Sequence, residues 1–229
     1  MFALLTRQRV TMLFQYTHID AQSIRLVRFH RNTTSSDVHL VLEQQNRYWE
    51  DAVHYISLAC ISKDDEKDSV TLNGRSRLVP LAVKQALKHL FEHDARAGRY
   101  WVSSVCINHG NEAEKEQQYS QKSRIYSSAD KLIIWLDTRE KQSMTALATI
   151  CKYPQLWTDP ERESVESLSS KLSAWQIQTF GQTSPLQHRN AVLICGKYES
   201  SLDAYRQHAE SQKGLRSNVS DDGKITSVI

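Results

Sequence analysis

A cysteine, two asparagines, a histidine and two glutamates follow a short apolar run in the stretch WVSSVCINHGNEAEK, residues 101–115. Cys106 and His109 have the residue types of a nucleophile and its base, although a cysteine beside isoleucine at a strand end is more typical of a buried, inert thiol. Glu114 carries the other reactive group, but carboxylates are also common in the first turn of a helix, where the dipole favours them. The stretch is therefore either a catalytic site beyond a strand or an ordinary capped helix start.

Other candidate sites in the sequence are weaker. His89 and His93 stand at i, i+4 on a predicted helix, a spacing that can hold a metal ion. Two ligands are too few for a zinc site and no third ligand is evident, so we predict no metal site. The seven glycines form no GxGxxG or GxxxxGK[ST] motif, which argues against a glycine-rich phosphate loop.

Composition restricts the class of protein. The 229 residues are 40% hydrophobic and 24% charged, as in globular domains. A net charge of +3 gives no reason to expect nucleic acid as a partner. The four cysteines form no CxxC pair and lie in apolar surroundings, which favours free thiols in a reducing compartment. No membrane span and no signal peptide is predicted, so we expect a cytoplasmic protein.

Apolar segments alternate along the chain with segments of helical periodicity. The predicted strands are 23–29, 38–43, 54–62, 99–107, 131–136 and 191–196, and Asn73-Gly74 predicts a hairpin within 69–79. Five helices are predicted. The first begins at Pro80, the second runs from about Glu112 to Ser128, and the third follows residue 136. The fourth includes residues 165–175, and the fifth begins near Ser200 or Ser201.

This alternation predicts one α/β domain, residues 1–211, followed by a polar, flexible tail, residues 212–229. The domain is expected to have a central, mostly parallel sheet flanked by helices, with antiparallel strands at its N-terminus. In such sheets ligands bind beyond the carboxyl ends of the strands, so the residues after Ile61, Ile107, Leu136 and Cys195 are expected to border any site.

The opening stretch and the residues after it resemble the fungal heterokaryon incompatibility (HET) domain. That family shows Trp-Ile-Asp-x-x-Cys-Ile-Asn-Gln, an acidic stretch with Glu-Arg, a Gln, Ile-Tyr and a strand ending Trp-Leu-Gly. The matching segments here are WVSSVCINH (101–109), Glu114-Lys115, Gln118, Ile125-Tyr126 and Trp135-Leu136-Asp137. Weaker matches extend the resemblance from about Phe14 to Ala209, and they imply a fold like that of TIR and flavodoxin domains.

The departures from the family pattern fall on polar and glycine positions. Ser62-Lys63 replaces a Trp-Gly pair, Ser103 an aspartate, His109 a glutamine, Asp137 a glycine, and Thr179 the acid of a Trp-x-x-Gln-Glu motif. The apolar framework is kept, so the sequence looks like a divergent member whose site has been eroded. The resemblance implies a pocket formed by Ser62, Lys63, Ser103, Cys106, Asn108, His109, Gln118, Asp137 and Thr179.

The resemblance implies two functions. HET domains act in fungal cell death and non-self recognition, so the first is a signalling domain that works by self-association or by binding a protein partner. The second follows from the relation of HET to TIR domains, some of which cleave NAD with a glutamate. It is an NAD glycohydrolase with Glu114 as the catalytic carboxylate and NAD as substrate. In this function Asp64 or Asp65 could replace the acid that is missing at Ser103. A soluble α/β protein that has lost the family role is the third reading.

Overall fold

The computed structural model describes residues 14–45, 53–62, 65–94, 98–152, 157–181 and 190–217. The strands are β1 (Ile24–Phe29), β2 (His39–Gln45), β3 (Ile56–Ile61), β4 (Lys67–Leu72), β5 (Arg75–Pro80), β6 (Tyr100–Val102), β7 (Lys131–Leu136), β8 (Ala191–Cys195) and β9 (Tyr198–Ser201). The helices are α1 (Leu81–Asp94), α2 (Ser103–Cys106), α3 (Glu112–Ser120), α4 (Lys122–Ser127), α5 (Lys141–Lys152), α6 (Asp159–Phe180) and α7 (Leu202–Ser217). None of the described helices is long and apolar enough to cross a membrane.

The strands form one mixed sheet in the order β5-β4-β2-β1-β6-β3-β7-β8-β9. The α/β class is therefore confirmed, but the prediction of a mostly parallel sheet is not. The parallel pairs are β2–β4, β6–β3, β3–β7 and β7–β8. The pairs β1–β2, β1–β6, β4–β5 and β8–β9 are antiparallel. Three of the antiparallel pairs join strands consecutive in the chain, as hairpins require, and apolar periodicity does not distinguish them from crossover strands.

The core lies around β3 and β7, whose consecutive residues are buried on both faces of the sheet. Such continuous apolar runs are typical of strands with packing on both sides. Helix α1 contacts β3 and β7, and it buries Ala86, Leu87 and Leu90. The predicted helical seam along α6 is confirmed for Val165, Leu168 and Leu172, which are all buried.

The predicted hairpin turn between β4 and β5 is confirmed. Asn73 has φ 47° and Gly74 has φ 77°, the positive values that a type I′ turn requires at both central positions. The Asn73 side chain also accepts a hydrogen bond of 2.9 Å from the backbone N–H of Leu42. This contact ties the turn to the neighbouring strand β2.

Several predicted boundaries are wrong. The strand predicted over 99–107 ends at Val102, and the helix predicted over 112–128 is divided at Gln121 into α3 and α4. Strand β9 was not predicted because its sequence, YESS, has no apolar alternation. Helix α7 continues to Ser217, past the predicted end of the domain at residue 211, and residues 218–229 lie outside the described residues. The division into domain and tail stays a prediction.

Candidate functional site

The chain leaves the sheet early after β6. Strand β6 pairs with β3 only as far as Val102 opposite Leu58, whereas β3 continues to Ile61. The Ser103 carbonyl then accepts the Ile107 N–H at 3.2 Å, which closes the single turn of α2. The residues from Ile107 to Glu114 therefore follow a helical turn and not the end of a long strand.

The start of α3 is capped as the sequence predicts. Asn111 is the N-cap residue, and its side-chain oxygen accepts the Glu114 N–H at 3.2 Å. The Asn108 side chain accepts the N–H of Gly110 at 3.2 Å, which holds the turn before the helix. These two asparagines fix the direction in which the first turn of α3 presents its side chains.

Glu114 points into the protein and is only 5% exposed. Its Oε1 accepts hydrogen bonds from Nη1 of Arg25 at 2.6 Å and from the Asn108 N–H at 2.8 Å, and its Oε2 accepts Nη2 of Arg25 at 3.0 Å. Burial alone would raise the pKa of the Glu114 carboxyl, but the bonds from Arg25 and Asn108 outweigh it and lower the pKa below its usual range. Glu114 is therefore an ionised, bidentate partner of an arginine.

Arg25 is the partner that sequence reasoning missed. It is 1% exposed, and besides Glu114 it donates to the carbonyls of Cys106 at 3.0 Å and Thr17. One guanidinium thus joins the N-terminal segment, β1, α2 and α3. The available signal was its place within the apolar strand IRLVRF, between buried Ile24 and Leu26. A charge at such a position requires a buried counter-charge.

Tyr16 contacts the same group of residues. Its hydroxyl donates to the Val105 carbonyl at 2.7 Å, and the guanidinium groups of Arg25 and Arg77 lie 4.8 and 5.3 Å from the centroid of its ring. Burial raises the pKa of Tyr16 to about 12, so it remains a neutral donor. The stretch from Val105 to Glu114 is thereby held by two residues from the N-terminal part of the chain, Tyr16 and Arg25.

A second polar group lies where β3 and β7 end side by side. Ser62 Oγ donates to Oδ2 of Asp137 at 2.6 Å, and the Arg139 side chain donates to both Asp137 oxygens at 3.1 and 2.9 Å. Asp137 is 2% exposed. Burial would raise its pKa, but Arg139 and Ser62 lower it below the usual range. The structure thus brings predicted pocket residues Ser62 and Asp137 together, while Lys63 lies outside the described residues.

The remaining predicted pocket residues have mainly structural contacts. Gln118 is fully buried and donates to the Ser23 carbonyl at 2.9 Å. Thr179 is half-buried on α6. The Ser103 carbonyl also accepts Nε2 of His109 at 3.0 Å, so this imidazole donates to the backbone.

Cys106 does not form a hydrogen bond to His109. Its sulfur lies 3.4 Å from the backbone nitrogen of Val102, and burial raises the pKa of the thiol to about 12. The interpretation of Cys106 as a buried thiol is therefore the one that its surroundings support.

The histidine pair on α1 has no metal-site geometry. The rings of His89 and His93 stack with their centroids 4.2 Å apart, and Nδ1 of His93 donates to the His89 carbonyl. No group of three or more His, Cys, Asp or Glu side chains within the described ranges is placed to hold a metal ion.

A cavity of about 200 Å³ lies between α6 and α7. Its lining includes Leu172, Trp175, Gln176, Tyr205 and Arg206. None of the residues that the sequence predicts for the pocket is part of this lining. The cavity and the predicted pocket are therefore separate features of the molecule.

Comparison with known proteins gives one match. A family model described as "Heterokaryon incompatibility protein (HET)" matches residues 29–193. This range begins at the last residue of β1, ends within β8 and includes the whole segment from β6 to β7. Neither the curated proteins nor the solved structures yield a significant match to this chain.

Proposed function

The chain belongs to the heterokaryon incompatibility family, and we propose that it acts there as a cytoplasmic cell-death or non-self-recognition signalling domain with an eroded active site. In this role it works by self-association or by binding a protein partner, and it does not turn over a substrate. Its charged residues at the former site stabilise the fold that presents the interaction surface.

The contacts of Glu114 carry this proposal. A carboxylate that acts on a substrate must direct at least one oxygen towards it. Both oxygens of Glu114 are instead bound, one by Arg25 and Asn108 and the other by Arg25 alone. With the side chain 5% exposed, a substrate would have to displace a buried guanidinium before reaching the carboxylate.

The second polar group supports the same conclusion. Asp137 stands where the family pattern has glycine, and its oxygens are bound by Ser62 and Arg139. Ser103 stands where the pattern has aspartate and supplies only a neutral hydroxyl. Groups that act as a unit in catalysis lose activity together, so the loss of one acid and the enclosure of another disfavour turnover.

The alternative is an NAD glycohydrolase with Glu114 as its catalytic carboxylate. One observation favours it: the pKa of Glu114 is lowered, so the group is a buried negative charge at neutral pH. An oxocarbenium-like transition state is stabilised by such a charge in a site that excludes water. This function requires Arg25 to release one oxygen when substrate binds.

The two functions are separated by incubating the purified protein with NAD and following nicotinamide release, with and without a crowding agent. We expect no release above that of the heat-denatured protein, together with larger species in light scattering as protein concentration rises. The NAD glycohydrolase would be established if the wild type released nicotinamide continuously and Glu114→Gln did not. The control variant Glu116→Gln, which changes an exposed residue, should then keep the release. A strictly monomeric protein that also captures no partner would contradict the signalling module.

A further inference from the structure

Lys122 is a partly buried cation held by aromatic rings. Its Nζ lies 5.2 Å from the ring centroid of Tyr119 and 6.0 Å from that of Tyr126. Within the described part of the chain, no carboxylate lies at ion-pair distance from this amine. Burial lowers the pKa of Lys122, as expected for an ammonium that has lost water without gaining a counter-charge.

Two other partly buried lysines of this protein have acidic partners. Lys84 binds Asp68 at 2.7 Å with 13% of its side chain exposed, and Lys171 binds Glu140 with 15% exposed. Lys122 differs from both because cation–π contacts with tyrosines replace the ion pair. Such contacts stabilise an ammonium less than a carboxylate in a similar position does.

Arg77, Lys115 and Lys122 all lie close enough to His109 to interact electrostatically with its imidazole. The His109 ring lies 6.0 Å from that of Tyr119. Burial lowers the pKa of His109, its bond to Ser103 opposes this, and the charges of Arg77, Lys115 and Lys122 lower it further. The charged groups that act most strongly on this imidazole are thus all positive.

The two nitrogens of the His109 ring have different hydrogen-bonding roles. Since Nε2 donates to the Ser103 carbonyl, the neutral ring presents Nδ1 as an acceptor, and the protonated ring presents it as a donor. Arg77 contacts the Tyr16 ring, and its Nε has no hydrogen-bond partner among the described residues. Of the cations near His109, Lys115 has an acidic partner, Glu112, at 3.1 Å.

We propose that Arg77, His109, Lys115, Tyr119 and Lys122, called here the Lys122 patch, bind the phosphate group of a small molecule. A phosphate dianion matches a site where several cationic side chains lie close together and Lys115 is paired with the carboxylate of Glu112. A lysine ammonium binds phosphate as a point charge. The tyrosine beside the amine offers a ring face to the remainder of the ligand. This proposal does not depend on whether the protein cleaves NAD.

The test is a titration of the ¹⁵N-labelled full chain with inorganic phosphate at constant ionic strength, followed by backbone amide shifts. We expect saturable shifts confined to α2, α3, α4 and the turns between them. Sodium acetate, a monoanion, is expected to bind at least about tenfold more weakly because it matches fewer cations. An absence of saturable shifts, or equal affinity for acetate, would overturn the phosphate assignment.

Matched lysine variants locate the site. Lys122→Met keeps the aliphatic stem and is expected to weaken phosphate binding about tenfold or more, as the loss of one charge-assisted hydrogen bond implies. Lys84→Met removes another partly buried lysine, on α1, and is expected to leave the affinity unchanged. Lys122→Gln serves if the Met variant does not fold. Full affinity in either Lys122 variant, or an equal loss in Lys84→Met, would refute the proposal.

Discussion

Glu114 and Arg25 form a buried ion pair within the core. Both are almost fully buried, and their bidentate contact leaves the carboxylate no oxygen without a partner. Removing one member of a buried ion pair costs about 3–5 kcal/mol because the other charge remains without a counter-charge. The Arg25–Glu114 contact is therefore expected to contribute to stability.

The lowered carboxyl pKa values predict a loss of stability in acid. The folded-state pKa values of Glu114 and Asp137 lie below their usual range, whereas in the unfolded chain they are about 4.3 and 3.9. Their stabilisation is therefore fully present above about pH 5 and is lost as the pH falls through the lowered folded-state values. Urea unfolding between pH 7 and 3 measures this, and Glu114→Gln should flatten the dependence while Glu116→Gln should not. Identical slopes in all three proteins would exclude Glu114 as a cause.

The cysteines are expected to differ in reactivity. Cys106 and Cys195 are buried, with thiol pKa values raised by burial to about 12 and about 11, and burial raises the pKa of Cys60 as well. Cys151 alone is an exposed residue. A thiol-specific chromogenic reagent at pH 8 should therefore modify one cysteine rapidly, and Cys151→Ser should remove that rapid phase. A rapid phase that persists in this variant would show that a core thiol is accessible.

At the scale of elements, the sequence predicts those parts whose apolar pattern is continuous. β3, β7, β8 and the buried seam of α6 follow from such patterns, and the β4–β5 hairpin follows from Asn73-Gly74. The end of β6 at Val102 does not, because Val105, Cys106 and Ile107 continue the apolar run after two serines, and the helical turn there is closed by the backbone carbonyl of Ser103. The pairing of Arg25 with Glu114 joins residues distant in the chain, which one sequence does not reveal.

The cap of α3 should contribute measurably to stability. Asn111 accepts the Glu114 N–H, so Asn111→Ala leaves a helix donor unpaired and is expected to cost about 1 kcal/mol. The exposed residue Glu116 on the same helix provides a control, since Glu116→Ala should change stability by no more than about 0.5 kcal/mol. Chemical denaturation measures both. Equal effects of the two substitutions would mean that the cap is not formed in solution.

At the scale of the whole molecule, one sheet connects the first described strand with the last. The predicted parallel centre exists as β6-β3-β7-β8, but antiparallel strands extend it on both sides. The N-terminal strands were expected to be antiparallel, whereas the parallel contact of β2 with β4 was not. That contact places a hairpin from the middle of the chain beside the N-terminal strands, a long-range pairing without a local signal.

A continuous sheet predicts cooperative unfolding. Tryptophan fluorescence reports on residues that include the buried Trp101 and Trp135, in strands β6 and β7 on either side of β3, and far-ultraviolet circular dichroism reports on all helices. We expect the two transitions in urea to coincide because the elements share one core. Separate midpoints would show that part of the chain folds independently and would contradict the single-domain prediction.

The most direct test of the central claim is a double-mutant cycle between Arg25 and Glu114, measured as the free energy of unfolding. If Glu114 serves the fold, Arg25→Met and Glu114→Gln each destabilise the protein by about 3–5 kcal/mol. The double variant should then lose about 2–3 kcal/mol less than their sum. If Glu114 is instead kept for a reaction, Glu114→Gln should be neutral or stabilising, as active-site substitutions often are. That result, or effects that add within about 0.5 kcal/mol, would contradict the account.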